Sequence, residues 1–105
     1  MTDDEVEIVR DDEARRYRLL LGGAEAGRAE FRLREGSIVF THTIIDPAFE
    51  GRGLGSRLAR FVIEDAISRG ERIVPRCPFI RGWLLKHPGY EDAIEWPERR
   101  AVGGA

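Results

Sequence analysis

Hydrophobic periodicity in this chain first changes from strand to helix at a run of glycines. Residues 37–45 read Ser-Ile-Val-Phe-Thr-His-Thr-Ile-Ile, a β-branched run of the kind that forms a strand. Residues 46–56 follow as Asp-Pro-Ala-Phe-Glu-Gly-Arg-Gly-Leu-Gly-Ser, with Gly51, Gly53 and Gly55 alternating. From Leu54 to Arg69 the apolar residues recur at helical spacing. A strand that passes through glycines straight into a helix leaves the first helical N–H groups without intrahelical partners. Such a row of amides stabilises an anion, above all a phosphate.

The residues on either side of this junction set the architecture. Val6 and Ile8 read as a short strand before the acidic turn Asp11-Asp12-Glu13. Tyr17, Leu19 and Leu21 then alternate with Arg16 and Arg18. Gly22-Gly23 marks a turn, and Ala29, Phe31 and Leu33 alternate with Glu30, Arg32 and Arg34. Glu35-Gly36 is a tight hairpin signal. The first 45 residues therefore predict a four-stranded antiparallel meander. In the helix, Arg57, Arg60, Glu64 and Ser68 share one narrow polar face, Gly70 ends it, and Asp65 falls inside the apolar arc with no evident partner. Arg72-Ile73-Val74 predicts a short strand closed by Pro75 and Pro78 around Cys77, and Phe79 to Lys86 a short helix. Tyr90 to Ile94 adds a last turn. The expected fold class is a mixed α/β sheet in one domain over residues 1–95, with residues 96–105 a disordered tail.

Composition excludes several classes of function. The chain has 105 residues, enough for one core and not for two. A net charge of −2 gives no electrostatic footprint for nucleic acid, where a strongly basic face would be expected. The single cysteine rules out an internal disulfide and any cysteine-rich metal site. No apolar run approaches a membrane span, and the acidic start does not resemble a secretion signal, so a cytoplasmic location is expected. The glycine turn also fails two common phosphate motifs. A dinucleotide fingerprint requires Gly-x-Gly-x-x-Gly after the first strand of a βαβ unit, and a P-loop requires Gly-Lys-Ser/Thr; neither is present. A connection that is merely glycine-rich remains the competing interpretation.

The order meander, long strand, Gly-x-Gly-x-Gly turn, amphipathic helix, short strand and short helix resembles the GNAT N-acetyltransferase superfamily. Within it, the chain is most similar to single-module proteins of about this size. The motifs that carry the likeness are His42-Thr43, Asp46-Pro47, Phe49, Gly51 to Ser56, Pro75, Cys77-Pro78-Phe79 and His87-Pro88-Gly89-Tyr90. Glu50 stands where the superfamily usually carries Arg or Gln. The resemblance implies an acetyl-CoA-dependent transfer of an acetyl group to an amine. It implies that the amides of Arg52, Gly53, Leu54, Gly55 and Ser56 hold the cofactor's pyrophosphate, with positive charge from Arg52 and Arg57. It further implies that the pantetheine arm lies along the backbone of Ile44 and Ile45.

Two side chains are candidates for the chemistry. Strict alternation puts His42 on one strand face with Ile38, Phe40 and Ile44, where it reads as a core-edge histidine; the resemblance makes it a general base. Cys77 reads as a small buried hydrophobe, and the resemblance places a thiol beside the acetyl group, as nucleophile or as proton donor to the leaving thiolate. Phe79, Trp83 and Tyr90 read as core, and His87 as an exposed or capping residue. Arg15, Arg16, Arg18, Arg32 and Arg34 read as a solvated face, with an acidic substrate as the alternative. A chain this short has no room for helices enclosing the acceptor, which favours a protein or peptide amine over an enclosed metabolite. The alternative function is a non-catalytic acyl-CoA-binding module.

Overall fold

The computed structural model describes residues 5–97. Five strands form one sheet in sequential order: β1 (Val6–Asp11), β2 (Arg16–Leu21), β3 (Ala24–Arg34), β4 (Ser37–Ile45) and β5 (Arg72–Pro75). The first four are antiparallel neighbours, as the alternating patterns and short turns require. Strand β5 lies parallel to β4, because helix α1 (Leu54–Ser68) carries the chain back across the sheet between them. Helix α2 (Pro78–Lys86) follows, with 3-10 turns at Pro47–Phe49 and Glu91–Ala93.

One core lies between the sheet and the helices. Helix α1 supplies Leu54, Leu58, Ala59, Val62, Ile63 and Ala66 to it, and each buried Leu, Val or Ile contributes about 1.5–3 kcal/mol. The sheet supplies Tyr17, Leu19, Ala29, Phe31, Ile38 and Phe40, and α2 supplies Ile80, Trp83 and Leu84. Tyr17 meets Phe31 edge-on at 5.6 Å between centroids and Phe61 at 6.2 Å, a geometry that suits ring quadrupoles. The solvent face of α1 is wider than its sequence suggests: Phe61 and Ile67 lie at the margin of the buried stripe and are exposed.

The partner of Asp65 is Tyr17. Its hydroxyl donates to Asp65 Oδ2 at 2.7 Å, and Arg69 Nε donates to the same oxygen at 2.7 Å. Arg10 donates to the Tyr17 oxygen at 3.2 Å and forms a two-pronged pair with Glu71 at 2.8 and 2.9 Å. Burial and the Asp65 hydrogen bond both push the Tyr17 hydroxyl up from its ordinary value, while Arg10 pulls the other way. The Glu71 pair raises the already high value of Arg10. The network ties β1 and β2 to the C-terminal end of α1.

Order extends past residue 95. Ile94 bridges Ile73 in parallel sense, Glu95 N–H donates to Ile73 O at 2.8 Å, and Trp96 packs on the core beneath the Arg81 guanidinium. Trp96 thus packs on the core within the span 96–105 expected to be a disordered tail, and residues 98–105 lie outside the described residues.

Candidate active site

Strand β4 does not alternate strictly, and the reason is a bulge. Glu30 pairs with His42, yet Phe31 pairs with Phe40, so Thr41 has no opposite number on β3. A bulge inserts one residue, turns the strand and leaves successive side chains on one side. Ile38 and Phe40 point into the core before it; Thr43 and Ile45 face inward after it, and His42 and Ile44 are exposed. This overturns the expectation that His42 shares a face with Ile38 and Phe40. Its side chain is 68% exposed, with Nδ1 3.5 Å from Glu30 Oε1. The Arg28 hydrogen bond holds the Glu30 carboxyl below the usual range, and the charges of His42 and Arg16 act in the same direction.

The last two strands of the sheet, β4 and β5, part just where the bulge begins. Pairing between β4 and β5 ends at Phe40 and Pro75. The N–H groups of Arg76 and Cys77 then both donate to Phe40 O, at 3.1 and 2.8 Å. Beyond this point the sheet is forked. Thr43 lies on one lip and Cys77 on the other, with Thr43 Oγ1 and Cys77 Sγ 3.1 Å apart. Cys77 is buried, a free thiol at the N-cap of α2. His42 and Cys77 engage different partners, Glu30 and Thr43, on different sides of β4.

Helix α1 begins beside the fork, and its glycines serve separate purposes. Gly51 and Gly53 have φ of 86° and 74°, left-handed values that favour glycine. Gly55 has an ordinary backbone, but an added Cβ would stand 2.9 Å from Phe79 Cζ. The N-cap, Gly53, has no side chain to satisfy the helix start, and the first helical amide in the turn ladder is that of Arg57, bonded to Gly53 O at 3.3 Å. The N–H groups ahead of Arg57 at the helix start, those of Leu54, Gly55 and Ser56, are left open together with the positive end of the dipole. Glu50 is exposed, and its own N–H is committed to Pro47 O. Arg52 lies over the Phe49 ring, 5.6 Å from its centroid. Arg57 is exposed, and Ile44 and Ile45 occupy the last positions of β4.

Helix α2 braces this corner. Trp83 Nε1 donates to Ser56 Oγ at 2.9 Å, and the Trp83 ring stacks on His87 at 3.8 Å. His87 caps α2. Trp83 is core, as its spacing suggests, whereas Phe79 is 44% exposed over Gly55. A cavity of about 350 Å³ between Ser56, Phe79, Trp83, Lys86 and His87 adjoins the helix start. Among the described residues, no group of three or more His, Cys, Asp or Glu gathers as a metal site, and no helix is long and apolar enough to cross a membrane.

A forked mixed sheet with an open helix start at the fork defines the GNAT class of fold. The family model described as GCN5-related N-acetyl-transferase matches residues 16–93. The chain belongs to that family and is an acyltransferase. The NMR solution structure of a GCN5-like protein from Staphylococcus aureus superposes with a TM-score of 0.65 at 20% identity, over 91% of this chain and 92% of that one. No curated protein matches the chain.

Proposed function

We propose that this acyltransferase uses acetyl-CoA and moves its acetyl group to the amine of a polypeptide. The observation that carries this reading is the open start of α1 set beside the fork between β4 and β5. Its free amides and dipole suit a pyrophosphate, and the fork suits a linear arm. When bound, acetyl-CoA supplies an activated acyl group as a thioester. Arg52, Gly53, Leu54, Gly55 and Ser56 hold the phosphates through their N–H groups, and Arg52 and Arg57 add charge. The backbone of Ile44 and Ile45 lines the arm.

The two polar side chains divide the proton work. His42, outside the fork and beside Glu30, is positioned to take a proton from an amine arriving on the open face of the sheet. Cys77 and Thr43 form a thiol–hydroxyl pair inside the fork, where a proton can be passed to a departing thiolate. Burial of Cys77 to 2% exposure favours direct transfer over a covalent acetyl-cysteine.

Calorimetric titration with CoA, with thiol release followed over a panel of amines, tests this. Binding is expected to survive in His42→Ala and Cys77→Ala while transfer falls by about 10²-fold or more in the first. Binding with no transfer to any amine would reduce the chain to a cofactor-binding module. An acetyl group found on Cys77 by mass spectrometry would replace direct transfer with a covalent route.

A further inference from the structure

We infer that the acceptor amine is carried on an acidic polypeptide segment that docks across the open, arginine-rich face of the sheet. The inference rests on the acetyltransferase reading and names its substrate class. Both helices pack on one side of the sheet, where Tyr17, Leu19, Phe31, Ile38 and Phe40 point. Alternation therefore turns Arg16, Arg32, Arg34 and Val39 to the other side, which no helix among the described residues covers.

Two adjoining hollows make a trough on that face. One hollow of about 340 Å³ is lined by Arg15, Arg16, Arg32, Thr41 and His42. A second, of about 450 Å³, is lined by Arg32, Arg34, Val39, Thr41 and Arg76. They share Arg32 and Thr41, so the trough runs past the exposed imidazole of His42 and along the outer mouth of the fork.

Little of its charge is compensated. Among the described residues, Arg15, Arg16, Arg32, Arg34 and Arg76 have no carboxylate within ion-pair distance, while Arg18, Arg28 and Arg69 are paired. The one acid in the trough, Glu30, is bound to Arg28 at 2.7 Å. Arg16 Nε is buried with no acceptor at all. On a chain of net charge −2, five free guanidinium groups on one face are a local attraction for carboxylates, which they can grip in pairs. A nucleic acid offers the same charge but no alkyl amine, and the floor is Val39 with Phe31 buried, so no ring is presented for base stacking. A peptide supplies both amine and acids.

The test compares lysyl peptides flanked by aspartate, asparagine or arginine as acceptors, with parallel anisotropy titrations of the labelled peptides. The aspartate peptide is expected to exceed the asparagine one by about 10-fold in kcat/KM, since each exposed pair is worth up to about five-fold. The margin should shrink as salt rises. In the double variant Arg32→Glu, Arg34→Glu the preference should pass to the arginine peptide while CoA affinity stays unchanged. Equal kcat/KM for all three peptides would overturn the inference and leave the acetyltransferase reading standing. An oligonucleotide of equal charge that binds more tightly than the aspartate peptide would overturn it in favour of nucleic acid. Failure to bind CoA and to acetylate any amine would remove the reading beneath it, and peptide anisotropy would still report whether the trough prefers acids.

Discussion

Replacing Tyr17 by Phe isolates one hydroxyl in the middle of the fold. The ring is kept, so its packing on Phe31, Phe40 and Phe61 is unchanged. The change deletes the 2.7 Å bond to Asp65 and the 3.2 Å contact from Arg10. Arg10 retains Glu71, and Asp65 retains Arg69 with some access to water. A hydrogen bond to a charged acceptor contributes about 1.5–3 kcal/mol, and the surviving partners put the loss near 2 kcal/mol. For a domain of this size that lowers Tm by about 10 °C. The pH dependence is a second signature. The folded-state value of Tyr17 is raised, so its stabilisation is complete below the unfolded value near 10 and is lost as pH rises above that. Unfolding then releases a proton, and wild-type stability falls by at most about 1.4 kcal/mol per pH unit from this group. Phe lacks that loss, so the gap between the two proteins should narrow to below ~1 kcal/mol by about pH 11. Urea melts at pH 8 and pH 11 measure it. Equal midpoints at pH 8, or a gap that does not change with pH, would refute the proposed network.

Deleting Thr41 should restore regular pairing of β4, leave the fold intact, and weaken CoA binding by about 10-fold because the bend at the fork is lost; calorimetry with circular dichroism decides it. Gly53→Val places a β-branched residue at φ 74°, which should cost about 1–2 kcal/mol of stability in a thermal melt and abolish measurable CoA binding. Trp83→Phe removes the donor to Ser56; about 1 kcal/mol of stability should go, and the KM for acetyl-CoA should rise more than kcat falls.

Strands and helices were legible because their periods differ, 2 against 3.6, and because the turns carry glycine. Fold class, strand order through the meander and the helix after the glycines all follow from Tyr17, Leu19, Ile38, Phe40 and the Leu54 to Ala66 stripe. What alternation cannot reveal is an inserted residue. Thr41 is an ordinary strand former, so nothing in residues 37–45 shows that the pattern slips there, and His42 is assigned to the wrong face as a result. The same applies to Ala26, unpaired between Leu19 opposite Gly27 and Leu20 opposite Glu25. Asp65 was a visible anomaly with half an answer in reach: Arg69 lies four residues on, whereas Tyr17, the partner that draws it inward, lies 48 residues away on β2. Phe79 looked like core because spacing does not report which neighbour a ring covers. The trough was half legible: Arg15, Arg16, Arg32 and Arg34 stood out together with Arg18, but that Arg18 is paired with Glu25, that the other four are not, and that Arg76 joins them are properties of the folded sheet.

Where the short edge strand β5 ends at Pro75, β4 runs on to Ile45 with that side uncovered by a paired strand, and such edges recruit other chains. The lip formed by residues 75–78 is defended by its own chemistry. Pro75 and Pro78 have no N–H, and the N–H groups of Arg76 and Cys77 are both spent on Phe40 O. No donor is left on that side for a foreign strand to pair with in register. The cofactor arm proposed to lie there would be held from β4 alone, while the strand addition that would zip two copies together into an aggregate is discouraged.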